Sequence, residues 1–397
     1  MLPRLAYRAM TEIDGRLLLK FAYTFGFRGM LSVERFKRRL KRDEYFPPFL
    51  YVSIINSCNL SCQGCWVDVK GPRRMISAED MDRLITDSKR LGNRFFGILG
   101  GEPLLHPDLL TILGRHRDCY FQVFTNGQLI TDEIARTFRR FGNVSPLISI
   151  EGSTPVSDVR RGGKDVLNRT LAGLEHCVRH RLITGVATSV CQSNFDDLLS
   201  EKWLEDLIRL GVLYAWYYTY RPVGPDAAPE LALTPDQVWQ VRRFVVEMRH
   251  KHPIGIVDAY YDDRGQALCP AATGISHHIG PAGDVEPCPI IQLATETIRD
   301  NGSIFAIMKD SRFLADFRRT AAQATRGCIV LERPDLLREL AVRHQARDTT
   351  TRGTALAELA EMGPRASQDL PGREVPEEHW MYRIAKKYWF FGFGAYS

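Results

Sequence analysis

Six short runs rich in β-branched and aromatic residues, separated by amphipathic stretches of helical period, constrain this chain more than any other feature. The runs lie at 49–56, 95–99, 120–124, 147–150, 183–190 and 214–220, and the amphipathic stretches include 78–91, 132–141, 165–180 and 199–210. Strand–helix alternation of this kind implies a parallel sheet, because a strand can return beside its predecessor in the same direction only through a long, right-handed crossover. Six such units predict an α/β fold, a partial, open (β/α)6 barrel. Sites in such folds gather at the carboxyl ends of the strands, so the residues that follow each run are where chemistry is sought.

The first run leads directly into Ser57-Cys58-Asn59-Leu60-Ser61-Cys62-Gln63-Gly64-Cys65-Trp66. Three thiolates at C-x3-C-x2-C spacing can hold three irons of a [4Fe–4S] cube and leave the fourth iron open to a ligand that is not protein. A structural zinc site is the alternative, but zinc takes four ligands and this loop offers three cysteines and no histidine. The second run ends in Gly100-Gly101-Glu102-Pro103. Two glycines let backbone approach a ligand closely, and a carboxylate beside them can accept hydrogen bonds from an ammonium group.

A three-cysteine loop after the first strand and a Gly-Gly-Glu after the second resemble the radical S-adenosylmethionine (SAM) superfamily, and the resemblance covers residues 49–225. It implies that Cys58, Cys62 and Cys65 bind a [4Fe–4S] cluster whose open iron chelates SAM. It also implies that the reduced cluster cleaves SAM to a 5′-deoxyadenosyl radical, with electrons from a flavodoxin or ferredoxin-type donor. Gly100, Gly101 and Glu102 then hold the SAM amino group. Ser149 and Glu151 match positions that bind its ribose or carboxylate, Thr125 and Asn126 line the adjacent strand end, and Ser189 faces the methionine moiety. The chain departs from many members in having Gly64 before the third cysteine, which leaves adenine stacking to Trp66 or to nothing in this loop. The expected activity is hydrogen abstraction from a C–H of the substrate; the alternative is a non-catalytic iron–sulfur or zinc binding protein.

Beyond a helical segment at 235–250, Cys269 is followed after 13 residues by Gly283, after four more by Cys288, and much later by Cys328. Gly283 fits the tip of a hairpin between 276–279 and 285–287. This resembles the start of the SPASM/twitch extensions of radical SAM enzymes, though with fewer cysteines than the full pattern. The resemblance implies one auxiliary [4Fe–4S] cluster on Cys269, Cys288 and Cys328, in a small cysteine-bearing α+β extension. His277 and His278 fall on opposite faces of the hairpin strand, so one can point at that cluster. A zinc site of three cysteines and one histidine is equally sound chemically. Cys119, Cys177 and Cys191 lack ligand spacing and read as buried hydrophobes.

The expected organisation is an N-terminal basic and apolar segment at 1–48, a radical SAM core at 49–225, an auxiliary region at 226–342, and a polar linker with an aromatic tail at 343–397. Nine cysteines without a secretory leader suggest a reducing, cytoplasmic setting, and no apolar run is long enough to span a bilayer. Residues 1–48 hold eleven Lys/Arg against five Asp/Glu, which equals the net +6 of the whole chain. With the charge confined there, no nucleic-acid groove is expected. The apolar residues 17–25 beside the basic 34–42 suit either of two roles: peripheral association with an anionic membrane, or closure of the barrel bottom with a solvated basic face. Eight aromatics in the last 18 residues pose the same choice. The substrate is expected to be a peptide or protein, or a lipid or isoprenoid.

Overall fold

In a computed structural model that describes residues 2–388, each expected strand forms. They are β1 (Phe49–Ser53), β2 (Phe95–Leu99), β3 (Tyr120–Thr125), β4 (Val144–Ser149), β5 (Gly185–Val190) and β6 (Tyr214–Thr219), all parallel and hydrogen-bonded in chain order. The crossover helices follow the apolar periodicity and local cap chemistry. Helix Ala78–Arg90 starts where the Ser77 side chain accepts a hydrogen bond from the Asp80 N–H, and carries Glu79 and Asp80 in its first turn and Lys89 and Arg90 in its last. Helix Asp132–Phe141 starts on Thr131 and ends at Gly142, whose φ of +72° is the left-handed stop that glycine adopts without strain. Alternate strand residues split between two cores: Phe96 and Ile98 pack under the helices, while Phe95 and Leu99 face the barrel lumen.

The sheet is longer than six strands. β7 (Gly255–Val257) adds in parallel to β6, and β8 (Ser276–Ile279) adds in parallel to the opposite edge, on β1. β9 (Val285–Glu286) then pairs antiparallel with β8 around Gly283, φ +84°, as the hairpin reading anticipated. The nine-stranded order is β7-β6-β5-β4-β3-β2-β1-β8-β9, so the hairpin continues the barrel wall past its first strand. The long strands β1 and β6 are thereby covered, and the edges pass to the short β7 and β9, of three and two residues.

At the amino end the structure agrees with one of the two expected roles, and toward the carboxyl end it departs from expectation. Helices α1 (Leu2–Glu12), α2 (Gly15–Phe21) and α3 (Arg28–Leu40), with a π-helical turn Ala22–Phe27 before α3, close the barrel bottom. Phe25 packs 4.8 Å from Phe95 and Phe21 5.3 Å from Tyr120, at the amino ends of β2 and β3. Residues 343–378, expected as a polar linker, are instead built into the fold. Their polar residues are buried in pairs: Thr349 with Glu286, Thr351 with Asp68, Ser367 with the Cys328 N–H, and Glu377 with Arg249. Polarity there reflects satisfied internal hydrogen bonding, which composition alone cannot distinguish from solvation. The last described helix, Trp380–Tyr388, docks through Tyr382 and the buried Lys386; Trp389, Phe390, Phe391, Phe393 and Tyr396 lie outside the described residues. Among the described residues no helix is long and apolar enough to cross a membrane.

Candidate active site

The cysteine loop leaves β1 and curls over the carboxyl ends of the strands. Cys58, Cys62 and Cys65 are half-buried. The Gln63 N–H donates to the Arg160 carbonyl at 2.9 Å, and the Arg160 guanidinium returns a bond to the Gln63 carbonyl at 2.8 Å. Gly64 has φ +67°, and a Cβ there would lie 2.1 Å from the Tyr220 hydroxyl, so this position before the third cysteine requires glycine. Burial pushes the Cys58 thiol up to about 11 and the Cys65 thiol up to about 12, and each feels the neighbouring thiols. Arg161 opposes that rise, with Nη1 3.5 Å from Cys62 Sγ.

The Gly-Gly-Glu turn clamps β2 onto the start of this loop. The Gly101 N–H donates to the Ile55 carbonyl at 2.7 Å and the Glu102 N–H to the Ser57 carbonyl at 2.9 Å. A Cβ on Gly100 would come within 2.6 Å of the Ile55 carbonyl oxygen, and one on Gly101 within 2.3 Å of that of Ser57. The structure places Glu102 facing inward, fully buried. It accepts from Thr125 Oγ1 at 2.8 Å, from the Asn126 N–H at 2.8 Å and from the Leu104 N–H at 3.1 Å. Burial raises its pKa while those donors lower it. Asn126 in turn donates to Asn59 at 2.8 Å and sits 3.9 Å from Cys58 Sγ. Glu102, Thr125 and Asn126 therefore form a brace beneath the cysteine loop.

Ser149, Glu151, Ser189 and Trp66 line one cavity of about 370 Å³. Glu151 bridges to Arg161 at 3.2 Å and accepts from the Ser189 N–H at 2.9 Å. Trp66 meets the ring of His278 edge-on at 5.9 Å and separates this cavity from a second, of about 310 Å³, flanked by Arg352 and Glu358. The walls of the first are largely aromatic: Tyr51, Phe124, Trp216, Tyr218 and Tyr260. Cys269, Cys288 and Cys328 line the same cavity. Three distant segments thus bring the second cysteine trio to the cavity that borders the first. Burial pushes Cys269 up to about 11 and Cys288 up to about 12, each raised further by its neighbours in the trio and lowered by Arg221. Arg221 donates to the Tyr260 hydroxyl at 2.9 Å and lies over its ring at 4.4 Å.

Of the two hairpin histidines, His278 has both nitrogens engaged, with Ser53 Oγ at 2.8 Å and Glu286 at 2.5 Å. His277 bonds the Pro287 carbonyl through Nδ1 at 3.0 Å and keeps Nε2 without a hydrogen-bond partner. Cys119, Cys177 and Cys191 are wholly buried. Among the described residues no three His, Cys, Asp or Glu side chains converge on a point that a single ion could occupy. An iron–sulfur cube needs no such point, since each thiolate takes its own iron at a separate corner. The thiol chemistry of the loop and its adjacent cationic Arg161 fit a cluster at the first trio.

Sequence reasoning missed Arg161, Arg221 and the aromatic lumen. The lumen had a signal: Trp216 and Tyr218 alternate with Ala215 and Tyr217 on β6, the period that sends side chains to opposite faces. Arg221 had one as well, its place directly after the sixth run; Arg161 had none, because it ends helix Val156–Arg161 and meets Cys62 and Glu151 only through the tertiary fold.

Residues 52–212 match the radical SAM superfamily. An Fe-coproporphyrin III synthase of Methanosarcina barkeri is 27% identical over 155 residues, covering 38% of this chain and 39% of that protein. A PqqA peptide cyclase of Streptomyces rochei is 24% identical over 256 residues, covering 61% of this chain and 69% of that protein. The chain therefore spans about two fifths of the first relative's length. The fold is similar to that of Streptococcus suis SuiB bound to its precursor peptide SuiA, with a TM-score of 0.60 and 14% identity over 71% of this chain and 69% of that one. With the three-cysteine loop, the glycine clamp and the parallel strand order in place, residues 52–212 match the radical SAM superfamily, whose enzymes use a [4Fe–4S] cluster and SAM.

Proposed function

We propose that the protein is a two-cluster radical SAM enzyme that abstracts hydrogen from an apolar part of its substrate. Cys58, Cys62 and Cys65 hold the catalytic [4Fe–4S] cluster, and Cys269, Cys288 and Cys328 hold an auxiliary one. Residues 49–225 serve as the SAM core and 226–342 as the auxiliary region, with a flavodoxin or ferredoxin-type donor as electron source. Bound together, cluster and SAM supply a carbon radical able to break an unactivated C–H bond. The chain's own part is binding, aim and exclusion of water. Gly100 and Gly101 keep backbone close to the loop, and the Glu102–Thr125–Asn126 brace holds its height. Arg161 offers a cation to the SAM carboxylate while Glu151 fixes its direction. Ser149 and Ser189 present polar groups at the cavity mouth, and Trp66 a flat apolar face.

The single observation that carries this reading is the shared cavity, lined both by Ser149, Glu151 and Ser189 and by the second cysteine trio. A substrate group seated in it meets mainly apolar side chains, Tyr51, Phe124, Trp216 and Tyr218 among them, which suits an apolar side chain of a peptide or protein. A peptide substrate draws support from the PqqA peptide cyclase and from SuiB. A lipid or isoprenoid is the second reading, favoured by the same aromatic lining. Anaerobically reconstituted protein given dithionite is expected to convert SAM to 5′-deoxyadenosine and methionine. Metal analysis showing zinc and no acid-labile sulfide would replace this proposal with the non-catalytic alternative.

A further inference from the structure

The N-terminal helices are apolar on two sides, and the barrel accounts for only one. Leu17, Phe25, Val33 and Phe36 face inward and are buried. On the other side Leu19 is 75% exposed, Tyr23 54% and Phe27 52%, followed by Leu31 at 40%. These four recur every fourth residue through α2, the π-helical turn and α3, so they form one outward stripe. Tyr23 and Phe27 stack at 6.3 Å, with the Arg28 guanidinium 5.2 Å from the Tyr23 ring. Exposed Tyr7 and Met10 extend the apolar surface on α1.

Charge identifies the cover. The first 48 residues carry the whole net +6 of the chain. Glu34 pairs with Arg38, but Arg4, Arg28, Lys37, Lys41 and Arg42 take part in no salt bridge among the described residues. Long basic side chains flanking exposed aliphatic and aromatic ones match an anionic lipid surface. The apolar groups enter the acyl boundary and the cations stay at the headgroups. A second amphipathic element attaches nearby. The exposed Trp380, Ile384 and Tyr388 recur every fourth residue on the last described helix. That helix is tied to the Ile256 N–H through Tyr382 at 2.8 Å, and α1 to the neighbouring Pro253 carbonyl through Arg8 at 2.8 Å.

We propose that the outward face of α1–α3 docks the protein on an anionic bilayer surface, with the last helix as a second contact. This inference is independent of the chemistry proposed for the cavity. The test is sedimentation of the full chain with vesicles of equal parts phosphatidylglycerol and phosphatidylcholine, against vesicles of phosphatidylcholine alone. The wild type is expected to bind the anionic vesicles, less so at high salt. The triple variant Leu19→Glu, Tyr23→Glu, Phe27→Glu is expected to bind at least about tenfold more weakly. Its melting temperature should fall only slightly, because these side chains are at least half exposed and lose chiefly the Tyr23–Phe27 stack and the Arg28 contact; Leu19→Glu alone, at the most exposed position, makes no ring contact and provides a milder control. The proposal fails if the wild type does not sediment with anionic vesicles, or if the variants bind as well as the wild type. It also fails if the triple variant merely converts a dimer to a monomer, which would make the face a protein interface.

Discussion

The two cysteine trios differ in how they are assembled. Cys58, Cys62 and Cys65 lie within one eight-residue loop, whose geometry is set by Gly64 beneath Tyr220 and by backbone bonds to β2 and to Arg160. Cys269, Cys288 and Cys328 come from the approach to β8, the far side of the hairpin and the turn after helix Arg312–Ala324. They meet only because β8 docks on β1 and because Ser367, from a segment near the carboxyl end, accepts the Cys328 N–H. A ligand set on one loop depends on local conformation, whereas one gathered from three segments depends on the whole fold. Each trio nonetheless has an arginine beside it, Arg161 for the first and Arg221 for the second. The shared device suggests a common need, to offset the negative charge of several thiolates in a buried space.

The sharpest test of this contrast is to remove the trios separately. Cys58→Ala, Cys62→Ala or Cys65→Ala is expected to abolish SAM cleavage. The triple alanine variant of Cys269, Cys288 and Cys328 should retain it while iron falls from about eight to about four per chain. Retained turnover in any of the first three variants would overturn the assignment of the loop, and zinc at the second trio would overturn the auxiliary cluster. Next in size, Arg161→Ala should weaken SAM binding by about 2–5 kcal/mol, a rise in Kd of about thirtyfold or more, with partial recovery in Arg161→Lys. Arg221→Ala should leave SAM affinity unchanged. Isothermal titration on both variants separates the two arginines, and equal losses would refute the division of roles.

Smaller effects probe how each trio is held. Gly64→Ala forces a side chain into a left-handed conformation against Tyr220, and should cost about 1–3 kcal/mol of stability while lowering occupancy of the first cluster only. Ser367→Ala removes a buried acceptor from the Cys328 N–H and a donor to Glu332, and should cost about 1–2 kcal/mol. Its signature is loss of iron from the second trio with the first intact. Equal loss at both would show that the carboxyl-terminal segment supports the barrel as a whole.

How legible each region was follows from the range of the interactions that build it. Helix Ala78–Arg90, helix Asp132–Phe141 and the hairpin around Gly283 sit within a residue or two of their expected positions, because caps, periodicity and turn residues act over a few positions. The run Thr349-Thr350-Thr351, buried at its first two residues and half-buried at the third, reads as linker by composition, since its partners Glu286 and Asp68 lie more than 60 residues away in the chain. Glu102 shows the same limit within a motif. Its position was apparent, yet its inward turn toward Thr125 and Asn126 depends on β3 lying beside β2.

The amino-acid sequence by itself determined the parallel α/β class, the three-cysteine loop at the end of β1 and the Gly-Gly-Glu turn after β2, though not that this turn clamps onto the Ile55 and Ser57 carbonyls. All three rest on spacing within a short stretch of chain, where backbone geometry leaves few options. The tertiary structure alone decided that the sheet grows to nine strands, that Arg161 faces Cys62 and Glu151, and that one cavity is lined by Ser149, Glu151 and Ser189 together with the second trio. Those features arise from register between strands far apart in sequence. One such pairing, β8 on β1, places the hairpin that carries Cys288 beside the barrel lumen, and no local pattern encodes it.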